Sequence, residues 1–218
     1  MNYDDIFKYT TVINLDTRKD RWNECCSEFN RIGSSMVGVK RFSAVPNETH
    51  GAIGCEFSHA LALVHFLIES DEQYCLILED DFNFREDIKN VLNEVNFFLT
   101  TVSDWQVLLL SGNEVKTISG STNRYLSVIS SLTASAYIVK RSYVTKLIEK
   151  FLFGANQLKK YIPIIPPYNW GTILEMYATD TVWQDLQKEG NWFILNPAPV
   201  IQRASYSDIM KQDVNYKV

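Results

Sequence analysis

The sequence predicts a single α/β domain built on a mixed, mostly parallel sheet that is flanked by helices. Through the first half of the chain, segments rich in β-branched and aliphatic residues alternate with segments of helical periodicity. This alternation is typical of parallel strands joined by crossover helices. The chain has 218 residues and 46% of them are hydrophobic, which is enough to bury one substantial core.

The first half starts with a β-rich segment, 9–15, after which Asp16 or Thr17 can cap a helix that Gly33 ends. Strands are predicted at 9–15, 39–45, 74–78 and 105–110, and helices at 18–32, from 51 to 68 and at 85–99. In the second of these helices the predicted buried stripe consists of Phe57, Leu61, Val64 and Ile68, which recur with a period near 3.6.

The second half predicts strands at 126–129, 132–139 and 192–195, and helices at 141–153 and 179–188. Ser130 and Ser131 separate the first two strands. The stretch 154–171 contains Pro163, Pro166 and Pro167 and is predicted to be irregular. Long loops of this kind in compact domains are usually functional or disordered.

Composition excludes some classes of protein. The chain has 21 basic and 26 acidic residues, a net charge of −5, and no basic tract, which argues against nucleic-acid binding. No run was expected to be long and apolar enough to span a membrane, and the N-terminus is acidic, unlike a signal peptide. Cys25, Cys26, Cys55 and Cys75 show no C-x-x-C spacing and are expected to be reduced core residues rather than zinc ligands. A cytoplasmic protein is therefore expected.

Three consecutive carboxylates, Glu79, Asp80 and Asp81, follow the apolar strand that starts at Tyr74. In open α/β sheets, ligands bind beyond the carboxyl ends of the strands, where these acids would lie. Mg²⁺ and Mn²⁺ prefer oxygen ligands and often bridge one or two carboxylates to phosphates. The acids therefore indicate a metal site for a phosphorylated substrate, with an acidic turn in which Asp81 caps a helix as the alternative.

Whatever phosphate the chain binds, the usual phosphate loops are absent. The sequence contains no G-x-G-x-x-G after the first strand and no G-x-x-x-x-G-K-S/T. It has three histidines and no H-E-x-x-H, which argues against a zinc hydrolase.

Several segments together resemble glycosyltransferase family 25, the group of lipooligosaccharide and collagen galactosyltransferases. They occur in the order of that family and span almost the whole chain. They are 12–16 with Arg18 and Arg21; the G-x-x-G-C-x-x-S-H pattern from Gly51 to His59; the acidic segment 76–81; 133–137; and 199–202 followed by 207–209. One departure is Thr17, which stands where the family commonly has a basic residue.

The resemblance implies a GT-A-type fold over residues 1–218, with a nucleotide-binding half at about 1–115 and an acceptor-side half at about 116–218. It implies an enzyme that uses Mn²⁺ or Mg²⁺ to move a hexose from a UDP-sugar, UDP-galactose or UDP-glucose, to a glycan or glycoconjugate hydroxyl with inversion. Asp81, with Glu79, is the predicted metal ligand. Asp80 is predicted to contact the sugar or to support the metal-binding carboxylate.

The turn after the first strand would lie beside the nucleotide, which makes Asn14, Leu15, Arg18 and Arg21 candidates for contacts to base, ribose and phosphate. The alternative is that Arg18 and Arg21 form a solvated helix face with nearby acids. Ser58 and His59, near the start of a long helix, are candidates for contacts to the diphosphate. For His59 the alternative is a structural role in the core.

An inverting transfer needs a carboxylate that takes the proton of the acceptor hydroxyl. Asp180 is the leading candidate, with an ordinary helix N-cap as its alternative. Glu175 and Asp208 are weaker candidates. Aromatic residues in and after the proline-containing segment could form a platform for a sugar ring: Tyr161, Tyr168, Trp170, Tyr177 and Trp183.

Two other functions fit a cluster of acids at a strand end. One is a metal-dependent phosphohydrolase or nucleotidyltransferase, which would turn over phosphoesters or nucleoside triphosphates. The other is a non-catalytic carbohydrate-binding module, which would bind glycan without a metal.

Overall fold

The computed structural model describes residues 2–85, 87–118, 122–207 and 212–214. Its helices are α1 (Tyr3–Ile6), α2 (Lys19–Arg31), α3 (Gly51–Glu69), α4 (Ile88–Thr101), α5 (Val144–Tyr161), α6 (Trp170–Tyr177), α7 (Thr179–Val182) and α8 (Gln184–Glu189). The strands are β1 (Thr10–Asn14), β2 (Val39–Ser43), β3 (Tyr74–Glu79), β4 (Phe82–Phe84), β5 (Val107–Leu109), β6 (Asn113–Ile118), β7 (Tyr125–Leu132), β8 (Ala136–Lys140), β9 (Trp192–Leu195), β10 (Val200–Gln202), β11 (Ser205–Ser207) and β12 (Gln212–Val214).

One eight-stranded sheet with the order β2-β1-β3-β8-β5-β9-β7-β6 forms the centre of the fold. The pairings of β1 with β2 and β3, and of β5 with β9, are parallel, whereas β8 and β7 run antiparallel to their neighbours. Six of the eight strands therefore point the same way. The predicted fold class, a mixed and mostly parallel α/β sheet, is confirmed.

Helices cover both faces of this sheet. Val12, Leu76 and Leu78 pack on one face with residues of α1, α2 and α4, such as Phe29 and Phe98. The other face packs against α3, α5 and α8, where the core contains, for example, Phe66, Phe151 and Leu186. This two-sided burial explains why the central strands are apolar throughout rather than alternating.

The predicted buried stripe of α3 is wrong. Leu61 is 40% exposed and Ile68 is 76% exposed, whereas Ala60, Ala62 and Leu63 are fully buried. The helix packs between the sheet and α5, so that small residues are required where it approaches its neighbours closely, and hydropathy alone does not mark such positions.

By length and composition, α3 is also apolar enough to cross a membrane, contrary to the expectation from the sequence, although 56% of its apolar window is buried inside the domain. A core helix of a soluble protein passes the same test.

The irregular segment predicted at 154–171 is also wrong. Helix α5 continues to Tyr161, and two short 3₁₀ turns, Ile162–Ile164 and Pro167–Asn169, lead into α6. Each proline lies at the start of a turn or just before one, where its missing N–H costs no hydrogen bond. Likewise, β7 continues through Ser130 and Ser131, and the break before β8 falls at 133–135.

Candidate active site

A cavity of about 570 Å³ opens at the edge where the parallel strands β1, β2 and β3 end. Its wall combines the loops after β1 and β2, the start of α3, the segment before β8 and the α6–α7 junction. Ligands of open α/β sheets bind at this edge, so the cavity is the candidate active site.

Glu79, Asp80 and Asp81 all line this cavity. β3 ends at Glu79, and Asp80 and Asp81 form a tight turn before β4. The side-chain alternation of a strand therefore does not apply to them, and the turn brings the three acids to one cavity. The alternative that Asp81 caps a helix is wrong, because the next helix, α4, is capped by Asp87.

Both carboxylate oxygens of Asp80 are engaged. Arg21 Nη1 lies 2.6 Å from one oxygen, and the Asn14 side chain donates to the other at 2.6 Å. Burial acts to raise the pKa of Asp80, whereas Arg21 and Asn14 act to lower it. At these distances the pair holds a carboxylate opposite a guanidinium. Asp80 therefore supports the turn rather than presenting a free oxygen.

Asp81 differs in this respect. Gln202 donates to Oδ2 at 3.1 Å and Arg21 Nη1 lies 3.8 Å from the same atom. The other oxygen, Oδ1, is buried and has no hydrogen-bond partner among the described residues. Burial, followed by the charge of Glu79, raises the pKa of Asp81 to about 7. A buried carboxylate oxygen without a partner is costly unless a cation or donor binds it.

Glu79 contacts α3 from the floor of the cavity. Its Oε1 lies 3.2 Å from His59 Nε2, and the Cys55 thiol donates to the same oxygen at 3.7 Å. Burial acts to raise the pKa of Glu79, but the contacts to His59 and Cys55 outweigh it and hold the pKa below its usual range. Together with Asp81, Glu79 gives the cavity a set of carboxylate oxygens that fits a hard divalent cation such as Mn²⁺ or Mg²⁺.

The predicted nucleotide turn is only partly brought to the cavity. Leu15 and Arg21 line it, whereas Asn14 lies behind Asp80. The solvated-face interpretation is wrong for Arg21, which is 9% exposed, but it describes Arg18, whose guanidinium pairs with the exposed Asp20 at 2.9 Å. Contact of these residues with a nucleotide stays a prediction.

Ser58 and His59 are buried in α3 and lie outside the cavity wall. The Ser58 hydroxyl accepts from Val45 N at 2.8 Å and donates to the carbonyl of Gly54, so it fixes the loop before α3. His59 reaches the cavity through Glu79. These contacts favour positioning over direct contact with a diphosphate, which no contact in the structure tests.

Asp180 lies on the opposite wall of the same cavity. It is the second residue of α7, whose N-cap is Ala178, so the N-cap interpretation is wrong. Its Oδ2 accepts from Thr133 N at 3.3 Å. Burial raises the pKa of Asp180, as does the charge of Glu79. Thr133 has a φ of 79°, a strained conformation for a β-branched residue that is found mainly at functional positions.

Of the two weaker base candidates, Glu175 is an exposed residue that lines the cavity, and Asp208 lies outside the described residues. Among the proposed platform aromatics, Trp183 is fully buried in the core and cannot contact a sugar. Tyr161 and Tyr177 stack on each other at 6.1 Å, and Tyr168 is 84% exposed.

Sequence reasoning missed two residues that hold the acidic turn. Gln202 binds Asp81, and Arg203 donates from its backbone N to the carbonyl of Asp81 at 2.7 Å and from its side chain to that of Asp80 at 2.6 Å. Their signal was the P-x-x-x-Q element at 199–202, whose partner across 120 residues only the fold reveals.

Comparisons with solved structures find similar folds at low identity. They include A197 from STIV (13% identity, 95% of this chain and 93% of that one, TM-score 0.48). A glycosyltransferase involved in glycosylation of the major capsid of PBCV-1 has 10% identity (86% and 93%, TM-score 0.42). The galactosyltransferase LgtC has 8% identity (93% and 91%, TM-score 0.36). No curated protein sequence matches significantly.

The model of glycosyltransferase family 25 (LPS biosynthesis protein) matches residues 41–162. This range is more than half of the chain, and it contains both α3 and the three acids of the cavity. The chain belongs to glycosyltransferase family 25 and is a glycosyltransferase.

Proposed function

We propose that the chain moves a hexose from a UDP-sugar, UDP-galactose or UDP-glucose, to a glycan or glycoconjugate hydroxyl, with inversion and with the help of Mn²⁺ or Mg²⁺. The observation that carries the proposal is the buried Oδ1 of Asp81, which faces a cavity at the carboxyl edge of the sheet without a hydrogen-bond partner among the described residues.

Asp81 and Glu79 would hold the cation, which supplies positive charge to the departing diphosphate when it is bound. Asp80 keeps the turn rigid, because Arg21 and Asn14 occupy its oxygens. The Arg21 guanidinium therefore neutralises one acid of the cluster and leaves Asp81 available. Leu15 and Thr17, which line the same cavity beyond β1, would flank the nucleoside.

Asp180 would act as the base. A pKa raised by burial makes its carboxylate a better proton acceptor than a solvated aspartate. The Thr133 N–H orients one of its oxygens, so that the other can accept the proton of the acceptor hydroxyl as that oxygen attacks the anomeric carbon. Its position across the cavity from Asp81 supports attack on the face opposite the leaving group.

The proposal places the reaction in the cytoplasm. Its four cysteines are all free thiols, two of them buried, which suits a reducing compartment.

The experiment is a donor-turnover assay. Release of UDP from UDP-galactose and UDP-glucose is measured with Mn²⁺, Mg²⁺ or chelator, with water or a glycan mixture as acceptor. The proposal predicts cation-dependent release that falls about 10²- to 10⁴-fold in Asp180→Asn, since that is the typical contribution of a general base. NMR of the product should show the inverted anomer. Release that chelator and Asp180→Asn both leave unchanged would contradict the proposed mechanism.

A further inference from the structure

We propose that Cys55, His59 and Glu79 form a second cation site, suited to a borderline-soft ion such as Zn²⁺ and separate from the oxygen site at Asp81. One potential ligand atom from each of the three residues lies within 4.8 Å of the other two. His59 Nε2 is 3.2 Å and Cys55 Sγ is 3.7 Å from Glu79 Oε1.

These separations fit a metal. With Zn–S of about 2.3 Å and Zn–N and Zn–O of about 2.0–2.2 Å, tetrahedral geometry places ligand atoms roughly 3.3–3.7 Å apart. The distances from Glu79 to the other two residues match that spacing before any ion is bound. A sulfur, an imidazole nitrogen and a carboxylate oxygen are also the donor types that zinc accepts.

The surroundings of the three residues favour the same interpretation. The Tyr137 hydroxyl lies 3.0 Å from His59 Nδ1, so a proton on Nδ1 can be donated to it and Nε2 keeps its lone pair for a metal. The Thr179 hydroxyl donates to Cys55 Sγ at 3.3 Å, which stabilises a thiolate once the thiol has lost its proton to solvent. Cys55 and Glu79 line the cavity, which gives an ion its entry path and leaves its fourth position open.

Because Glu79 belongs to both sites, the two cations are coupled. An ion on Cys55 and His59 draws the Glu79 carboxylate toward α3 and away from Asp81. Zn²⁺ is therefore expected to inhibit Mn²⁺-dependent turnover, and Cys55→Ser is expected to relieve this inhibition.

The direct test uses Co²⁺ as a spectroscopic substitute for Zn²⁺ on chelator-treated full-length protein. A bound thiolate gives an intense sulfur-to-cobalt charge-transfer absorption that carboxylate sites lack. We expect this band at one Co²⁺ per chain, its displacement by Zn²⁺, and its loss in Cys55→Ser. Cys26→Ser, a partly exposed cysteine on α2, is the matched control and should keep the band, as should Asp81→Asn.

Tyr137→Phe tests the support of His59 without removing a ligand. It should weaken Co²⁺ affinity about 10-fold or more while keeping the band, since partners of metal-bound histidines typically contribute that much. The absence of a charge-transfer band in the wild type, or a band that survives in Cys55→Ser, would overturn the proposal and identify the three residues as a hydrogen-bond network that positions Glu79.

Discussion

Replacing Arg21 with methionine should destabilise the fold strongly, because it removes the counter-charge of Asp80. The two side chains are only 11% and 9% exposed, and their closest atoms lie 2.6 Å apart. Breaking a buried ion pair from one side costs about 3–5 kcal/mol, since the remaining charge stays buried without a partner. For a chain of this size that corresponds to a fall in Tm of roughly 6–20 °C.

The loss should depend on pH. Burial raises the pKa of Asp80 and Arg21 opposes this, so in Arg21→Met the folded-state pKa rises further above the ordinary 3.8. A raised folded-state pKa gives stability that is fully present below the unfolded value and is lost as pH rises. The deficit of Arg21→Met relative to the wild type should therefore be small near pH 4 and larger at pH 7.

The assay is urea unfolding at both pH values, with Arg18→Met as the matched control on the same turn. The control should lose less than about 1 kcal/mol, as exposed pairs do, because its partner Asp20 is 61% exposed. Arg21→Met/Asp80→Asn should recover part of the lost stability. If Arg21→Met costs no more than Arg18→Met, then Arg21 does not form the buried pair and the argument for the acidic turn fails.

Three further variants test the packing behind the cavity. Glu56 is fully buried, neither of its oxygens has a partner among the described residues, and burial raises its pKa; Glu56→Gln should therefore match the wild type in urea unfolding near pH 4 and become the more stable of the two as pH rises, whereas parallel pH profiles would contradict this. Ser58→Ala should cost about 1–3 kcal/mol in the same assay because the N–H of Val45 loses its acceptor, and an unchanged midpoint would show that water replaces it. Gly154→Ala should cost about 1–3 kcal/mol in Tm measurements, since its Cβ would lie 2.6 Å from Glu56 Oε1 and 2.9 Å from the carbonyl of Tyr177; a neutral result would mean that α5 shifts freely.

The sequence was most informative where local chemistry and fold agree. An apolar run that ends in three acids predicts both the strand β3 and a polar site at its end, and β3 does end at Glu79 with the acids lining a cavity. The sequence–pattern argument did not extend to which oxygen stays open. That depends on Arg21, Asn14 and Gln202, and their contacts with the acids join residues far apart in the chain.

Errors arose where packing overrides periodicity. The buried face of α3 includes Ala60 and Ala62, which hydropathy ranks below the exposed Ile68. The prolines after α5 suggested a loop, yet turns and helix starts accommodate them. The Cys55–His59–Glu79 cluster was also missed, because the strand β3 brings Glu79 against α3 only in the folded chain.

The central claim, that Asp81 holds the cation and diphosphate of the donor, is tested most directly by thermal unfolding with UDP in the presence and absence of Mn²⁺. At 100 times Kd a ligand of the native state adds about 2.7 kcal/mol, or roughly 5–11 °C in Tm. We predict this shift for the wild type only when UDP and Mn²⁺ are present together, and its loss in Asp81→Asn with the fold intact. A shift of the same size in Asp81→Asn, or in the wild type with chelator, would contradict the account.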